Sequence, residues 1–428
     1  MGQTRTYHDP VHGAITLDRR DPVEGLLIRL IDTPPFQRLR RLRQLGAASF
    51  TFHGAEGSRF THSLGVLWVA RRVFDCLQKN YPELQSHRAV VLVAALFHDL
   101  GHGPYSHTGE EIFQFHHETW TQKIINTDPH IGALLDEFDP HLRPQVLQVY
   151  ENTYPLPFAC QWVSGQLDCD RLDYLMRDSY LTGAAYGRLD LDRILAAIDY
   201  DPDTGGLVVH PKSLAAIEHY LVVRYLMYAQ VYNHRKNVAV TWMLCRLIER
   251  VKRYWEKLYC DVTMTRWLTQ PINTLALSDY LAADDDVLNY HMHRWREAPD
   301  PIVADLCRRF LQRDLFKVLE VTRYPEAERQ GLLAQTRQGV RELGWDEDYY
   351  CGLHCRSIRG YTLYQQGIWV QTGQGRREIN ELSPLLQSLS SAQTRAWLIY
   401  PRELTQLVLA GLPANGYGLP AAGIPYRS

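Results

Sequence analysis

The chain has 428 residues, 45% apolar and 22% charged, enough to bury one large domain with a smaller companion, or two of ordinary size. Its net charge is -2 and its isoelectric point lies near 6.8. Bulk charge therefore gives no reason to expect nucleic acid or an anionic membrane as main partner, and a bound polyanion must be held by a local cluster of Arg, Lys and metal.

No apolar run approaches the roughly 20 residues of a membrane span. The opening MGQTRTYHDPVHG lacks the apolar segment of a secretory signal, and its Met-Gly start with Thr6 matches a myristoylation pattern only at the level of chance. Eight scattered cysteines fit reduced thiols, so a cytoplasmic protein is expected. Cys351 and Cys355, with His354 between them, resemble half a zinc site without a second half, and are taken as ordinary residues.

Helix dominates the expected elements. Val66, Val69, Val73 and Leu77 recur at helical spacing within 63–77, below His62. Residues 89–97, AVVLVAALF, are apolar on all sides, as in a helix at the centre of a bundle. That run leads into His98 and Asp99 and is broken by Gly101, Gly103 and Pro104. Further helices are expected over 170–178, 214–255 and 302–319. After about Leu343 the character changes: 360–373 reads as a hairpin, 381–389 as a helix and 396–401 as a strand. The predicted fold is mainly α, a helical bundle over 1–335 with a small α+β appendage over 336–411 and a mobile Gly/Pro-rich tail over 412–428.

Four segments carry the chemistry: RFTHSLG from Arg59, FHDLGHGPYSH from Phe97, FHHE from Phe115 and DCDRLDYLMRD from Asp168. Imidazole nitrogens and carboxylate oxygens together suit a divalent metal. His62, the adjacent His98 and Asp99, and Asp170 stand on separate predicted helices, from which donors can converge in a bundle core. Any one of them alone is as well explained as a core histidine or a helix-terminal residue. The set in this order is not, because a buried His-Asp pair costs several kcal/mol unless coordinated or paired.

Arg59 lies three positions before His62, and Arg171 adjoins Asp170. Both suit a phosphate ester, since arginine binds its oxygens bidentately. His102, His107 and His117 are candidates for general acid, for ordering the attacking water, or for supporting the ligands. Asp170, Asp173, Tyr174, Arg177 and Asp178 form one polar helix face, read as lining a substrate.

These segments resemble the HD-domain deoxynucleoside triphosphate triphosphohydrolases, over roughly Asp9 to Lys317 and without a SAM-like module. The resemblance implies one divalent ion (Mn, Fe, Co, Ni, Zn or Mg) on His62, His98, Asp99 and Asp170. It implies phosphate contacts at Arg59 and Arg171, catalytic roles for His102, His117 and Asp99, and sugar contacts at Gln44, Leu45, Tyr174, Asp178 and Tyr232. His107 is grouped with the substrate contacts. The implied reaction turns a dNTP into deoxynucleoside and inorganic triphosphate. A regulatory nucleotide site between subunits of a homo-oligomer would fall on Asp32, Gln37 and Arg40, on Lys212 and Arg235, and on Arg313 and Lys317. The last two clusters depart in part from the family pattern.

Overall fold

The computed structural model describes residues 2–358, 367–389 and 393–412. A hairpin, β1 (Thr4–Asp9) and β2 (Gly13–Asp18), opens the chain. The helices that matter for the site follow. α1 spans Arg59–Asn80, with the Ser58 side chain accepting from the Thr61 amide. α2 spans Arg88–Phe97 and is buried on nearly every face, as its unbroken apolar run requires. α3 (His107–Phe113) and α4 (His117–Thr127) carry the histidine-rich stretch. α5 (Cys169–Thr182) starts at Asp168, whose carboxylate accepts the Arg171 amide at 2.7 Å. α1 packs against both α2 and α5, so His62, His98 and Asp170 face one another in the core.

The helix expected over 214–255 is in fact two. α6 (Leu214–Met227) opens into a π-helical turn over Tyr228–Tyr232, and α7 (Arg235–Tyr254) starts afresh, with the His234 ring accepting from the Lys236 amide. That widened turn delivers Tyr232 to the site.

A second departure falls at 302–319. The helix α8 ends at Leu311 (Pro301–Leu311), Arg313 takes a left-handed φ of 58°, and Lys317–Glu320 is a strand. Its pairing with a strand some eighty residues later overrides local helical periodicity.

Four short strands make one sheet: the hairpin β3 (Ile198–Asp201) and β4 (Gly206–Val209), with β7 (Trp369–Thr372) and β8 (Gly375–Glu378) added at its edge. The other sheet has β5 (Lys317–Glu320) and β6 (Gly352–Ile358) on either side of β9 (Gln393–Tyr400), both antiparallel to it. α9 (Glu326–Glu342) runs through the division expected at 335/336.

The first arm of the hairpin expected over 360–373 lies outside the described residues. Its second arm, β7 (Trp369–Thr372), pairs forward with β8 (Gly375–Glu378). The helix expected over 381–389 is two short turns, Ile379–Leu382 and Pro384–Leu389. Cys351 and Cys355 are free thiols. The tail beyond Leu412 lies outside the described residues, and no helix among them is long and apolar enough to cross a membrane.

Candidate metal centre and active site

His62, His98, Asp99 and Asp170 converge. His62 Nε2 lies 3.1 Å from His98 Nε2, 3.0 Å from Asp170 Oδ1 and 3.5 Å from Asp99 Oδ2. His98 Nε2 lies 3.4 Å from Asp99 Oδ1 and 3.6 Å from Asp170 Oδ1. The Nδ1 atoms settle the tautomers. His98 Nδ1 can only donate to the Ala95 carbonyl, at 3.0 Å, and His62 Nδ1 donates to Asp173 Oδ2 at 2.7 Å. In the neutral rings both Nε2 atoms then present lone pairs to each other across 3.1 Å, between two carboxylates. A cation at their meeting point relieves that repulsion, so the donor set fits a divalent metal. Burial disfavours charge on both imidazoles, yet the surrounding carboxylates outweigh it and raise their pKa. The cluster thus calls for positive charge at its centre.

Asp173 answers to a different role from the one its helix face suggested. It is fully buried behind His62, not on the substrate side. Its Oδ1 accepts from His12 Nε2 at 2.6 Å and Arg177 Nη2 at 2.9 Å; its Oδ2 accepts from His62 Nδ1 and from Arg177 Nε at 2.8 Å. Arg177 also donates to Asp9 Oδ2 at 2.8 Å. A Cβ on Gly65 would come within 1.9 Å of Asp173 Oδ1, which is why α1 carries glycine there. So the polar face of α5 divides: Asp170, Tyr174 and Asp178 face the site, while Asp173 and Arg177 brace it.

Arg59 is buried, pairs with Asp99 Oδ2 and donates to Ser106 Oγ at 2.7 Å. Burial opposes ionisation of Asp99, but the Arg59 guanidinium and the neighbouring imidazoles hold its pKa well below the carboxylate range. The loop that follows is tightly held. Gly101 abuts the start of α4, where a Cβ would meet the His117 carbonyl at 2.1 Å. Arg38 donates to the His102 carbonyl at 2.8 Å. Tyr105 and Ser106 adopt left-handed φ values of 59° and 56°, with the Tyr105 amide donating to Asp285 Oδ1 at 2.7 Å.

His102 is fully buried, its Nε2 3.2 Å from Asp99 Oδ1 and its ring stacked on His117 at 3.9 Å. Burial, with the charges of Arg59 and His117, pushes its pKa well down, so it is neutral near pH 7. Glu110, which sequence reasoning passed over, grips both flanking histidines. Oε1 accepts from His117 Nδ1 at 2.6 Å and Oε2 from His107 Nδ1 at 2.7 Å. Burial works against its ionisation, but these hydrogen bonds hold its pKa far below the usual value.

A cavity of about 400 Å³ opens here, lined among others by Gln44, Leu45, Arg59, His107, Tyr174, Asp178 and Tyr232. Tyr232 donates to Asp178 Oδ2 at 2.9 Å, while Asp178 Oδ1 and Gln44 Oε1 are buried without a partner. Burial pushes the Asp178 carboxyl up to about 7, against the Tyr232 hydrogen bond. Of the expected substrate contacts, Arg171 alone is absent from this wall; it pairs with Asp168. His102 and His117 are likewise not among its lining residues.

The residues expected at a regulatory site fall into separate groups. Asp32 pairs with Arg5, and Gln37 accepts from Arg40 at 2.8 Å, whose guanidinium sits over Phe60. Arg235, Arg313 and Lys317 gather near Lys236, whose pKa is lowered by burial and then by those three charges. Lys212 is exposed on the turn Pro211–Ser213.

A helical bundle with histidine and aspartate donors converging in its core is an arrangement that can hold a metal. Residues 59–152 match the HD domain model and 189–346 the HD associated region. The chain is 35% identical over 415 residues to the uncharacterized protein YwfO of Bacillus subtilis, covering 94% of each. It is 30% identical over 256 residues to a deoxynucleoside triphosphate triphosphohydrolase SAMHD1 homolog of Dictyostelium discoideum, covering 56% of this chain and 48% of that one. Among solved structures, a phosphohydrolase from Bacteroides thetaiotaomicron superposes with a TM-score of 0.82 at 28% identity, over 93% of this chain and all of that one. The chain belongs to the HD-domain family of dNTP-triphosphohydrolase-like phosphohydrolases.

Proposed function

We propose that the protein hydrolyses deoxynucleoside triphosphates to deoxynucleoside and inorganic triphosphate. The observation that carries this reading is the polar wall beside the metal donors, where Asp178 Oδ1 and Gln44 Oε1 are buried and unpartnered in the cavity lining. Buried acceptors without donors are rare, and a sugar hydroxyl supplies the missing hydrogen. Leu45, Tyr174 and Tyr232 line the same cavity, and their bulk would crowd a 2′-hydroxyl. A divalent ion on His62, His98, Asp99 and Asp170, of the class Mn, Fe, Co, Ni, Zn or Mg, would polarise the α-phosphoryl group and acidify water. Arg59, now held by Asp99, neutralises charge on the phosphoryl oxygens. His117, aligned by Glu110 and stacked on neutral His102, delivers the proton that the departing 5′-oxygen needs.

Turnover of dNTPs against the matching rNTPs tests the reading. The expected preference for deoxyribose is about a hundredfold; equal rates on dGTP and GTP overturn it. We further propose that Arg235, Arg313 and Lys317 on one copy and Asp32, Gln37 and Arg40 on another share a nucleotide effector, so that effector binding drives assembly. The likeness to SAMHD1 homologues supports this, and light scattering with and without added nucleotide tests it.

A further inference from the structure

The cavity has a wall that the metal centre and the sugar contacts do not use. It includes Thr108 and Glu111 on α3, Asn237 and Thr241 on α7, and Arg356, which arrives from β6 of the C-terminal sheet. Arg356 pairs with Glu111 across the cavity lining, the two side chains 33% and 40% exposed. Glu111 lies one helical turn, about 6 Å along the axis, beyond His107 and on the same face. His107 and Glu110 are the α3 groups that touch His117, whereas Glu111 turns instead to Arg356. Guanidinium and carboxylate balance, leaving the wall without net charge. Such a wall is a poor bed for a triphosphate, which Glu111 would repel, and a good one for a neutral base offering donors and acceptors.

Building on the dNTP reading above, we infer that Glu111 and Arg356 read the base, and that the base they fit is guanine. Guanine sets two adjacent donors, N1–H and the 2-amino group, beside the O6 acceptor. Both oxygens of Glu111 can accept from the former while Arg356 donates to O6. Adenine, cytosine and thymine lack two adjacent edge donors and leave one carboxylate oxygen unmatched. The C-terminal sheet thereby contributes a specificity residue to a site otherwise built by the helical bundle.

The test compares kcat/KM for dGTP, dATP, dCTP, dTTP and dITP, which lacks the 2-amino group, in the full-length metal-loaded wild type, E111Q and R356A. Competitive inhibition by inorganic triphosphate is measured in parallel. The wild type should favour dGTP over dITP and over dATP by about tenfold or more, the scale of one hydrogen bond to a charged group. E111Q should erase the dGTP-to-dITP preference and R356A should lower the dGTP-to-dATP ratio by about tenfold, with triphosphate still inhibiting both variants as it does the wild type. That inhibition also shows that the variants are folded. A uniform loss on every dNTP, or weakened triphosphate inhibition in R356A, overturns the base-reading role and gives the cation to the phosphates. A wild type that prefers another base refutes the guanine assignment alone, whereas one that hydrolyses no dNTP at all refutes the substrate class on which it rests.

Discussion

Replacing Asp173 by Asn probes the metal centre without touching a metal donor. The carboxylate accepts four hydrogen bonds, from His12, His62 and twice from Arg177, all at 2.6–2.9 Å and fully buried. An amide of the same shape offers one acceptor oxygen, and its NH2 group faces donors. Breaking a buried ion pair costs about 3–5 kcal/mol; Arg177 keeps its bond to Asp9, so the lower end, about 3 kcal/mol, is expected for the metal-free protein. His62 meanwhile loses the partner that fixes its tautomer, which should weaken metal binding by about 10–100-fold. Urea unfolding of the metal-free protein reads the first effect, and competition against a chelator of known affinity reads the second. If D173N binds metal within about twofold of wild type, Asp173 does not orient His62 and the reasoning fails.

His98→Ala and Asp99→Asn should each abolish stoichiometric metal and turnover; Asn is chosen at 99 because its amide oxygen keeps an acceptor for the Arg59 guanidinium, which Ala would remove, and elemental analysis of either purified variant checks this. His117→Ala should keep metal and substrate affinity but lower kcat by about 10²–10⁴-fold, with E110Q showing a smaller loss through a misaligned ring; an unchanged kcat moves the proton donor to His107. For Asp178 the sign runs toward lower stability with rising pH. Its proton leaves near 3.8 in the unfolded chain and about 7 in the folded one, so between those values the folded state binds more protons. Metal-free wild type should therefore lose up to about 4 kcal/mol relative to D178N as pH rises from 4 through 7, levelling off about a unit above, as pH-resolved denaturation would show; parallel curves contradict it.

The convergence of the four proposed metal donors was legible because each sits at a place where sequence carries punctuation: a helix start at His62, an apolar helix ending in His98-Asp99, and a capped helix start before Asp170. The proposed sugar contacts were expected only through family resemblance; all five of these residues line the cavity. What sequence could not reveal depends on contacts between distant segments. His12 reaches Asp173 across 161 positions, and Arg356 reaches Glu111 across 245. Glu110 did carry a local signal, three residues after His107, but helical spacing there points as readily to a solvated pair. Asp173 was visible and misassigned, since helix periodicity says which residues share a face, not that Gly65 lets α1 close over part of it. The strand at Lys317–Glu320 was lost to helical periodicity because its partner, β9, follows so much later.

Hydrolysis of dGTP in water enriched in oxygen-18 tests the central claim, that water attacks the α-phosphorus at the His62, His98, Asp99 and Asp170 centre. Mass analysis should find one labelled oxygen in inorganic triphosphate and none in the deoxynucleoside, because the phosphorus–oxygen bond to the 5′ carbon's oxygen is the one that breaks. Label in a nucleoside mono- or diphosphate, or in orthophosphate or pyrophosphate released directly, would contradict the account.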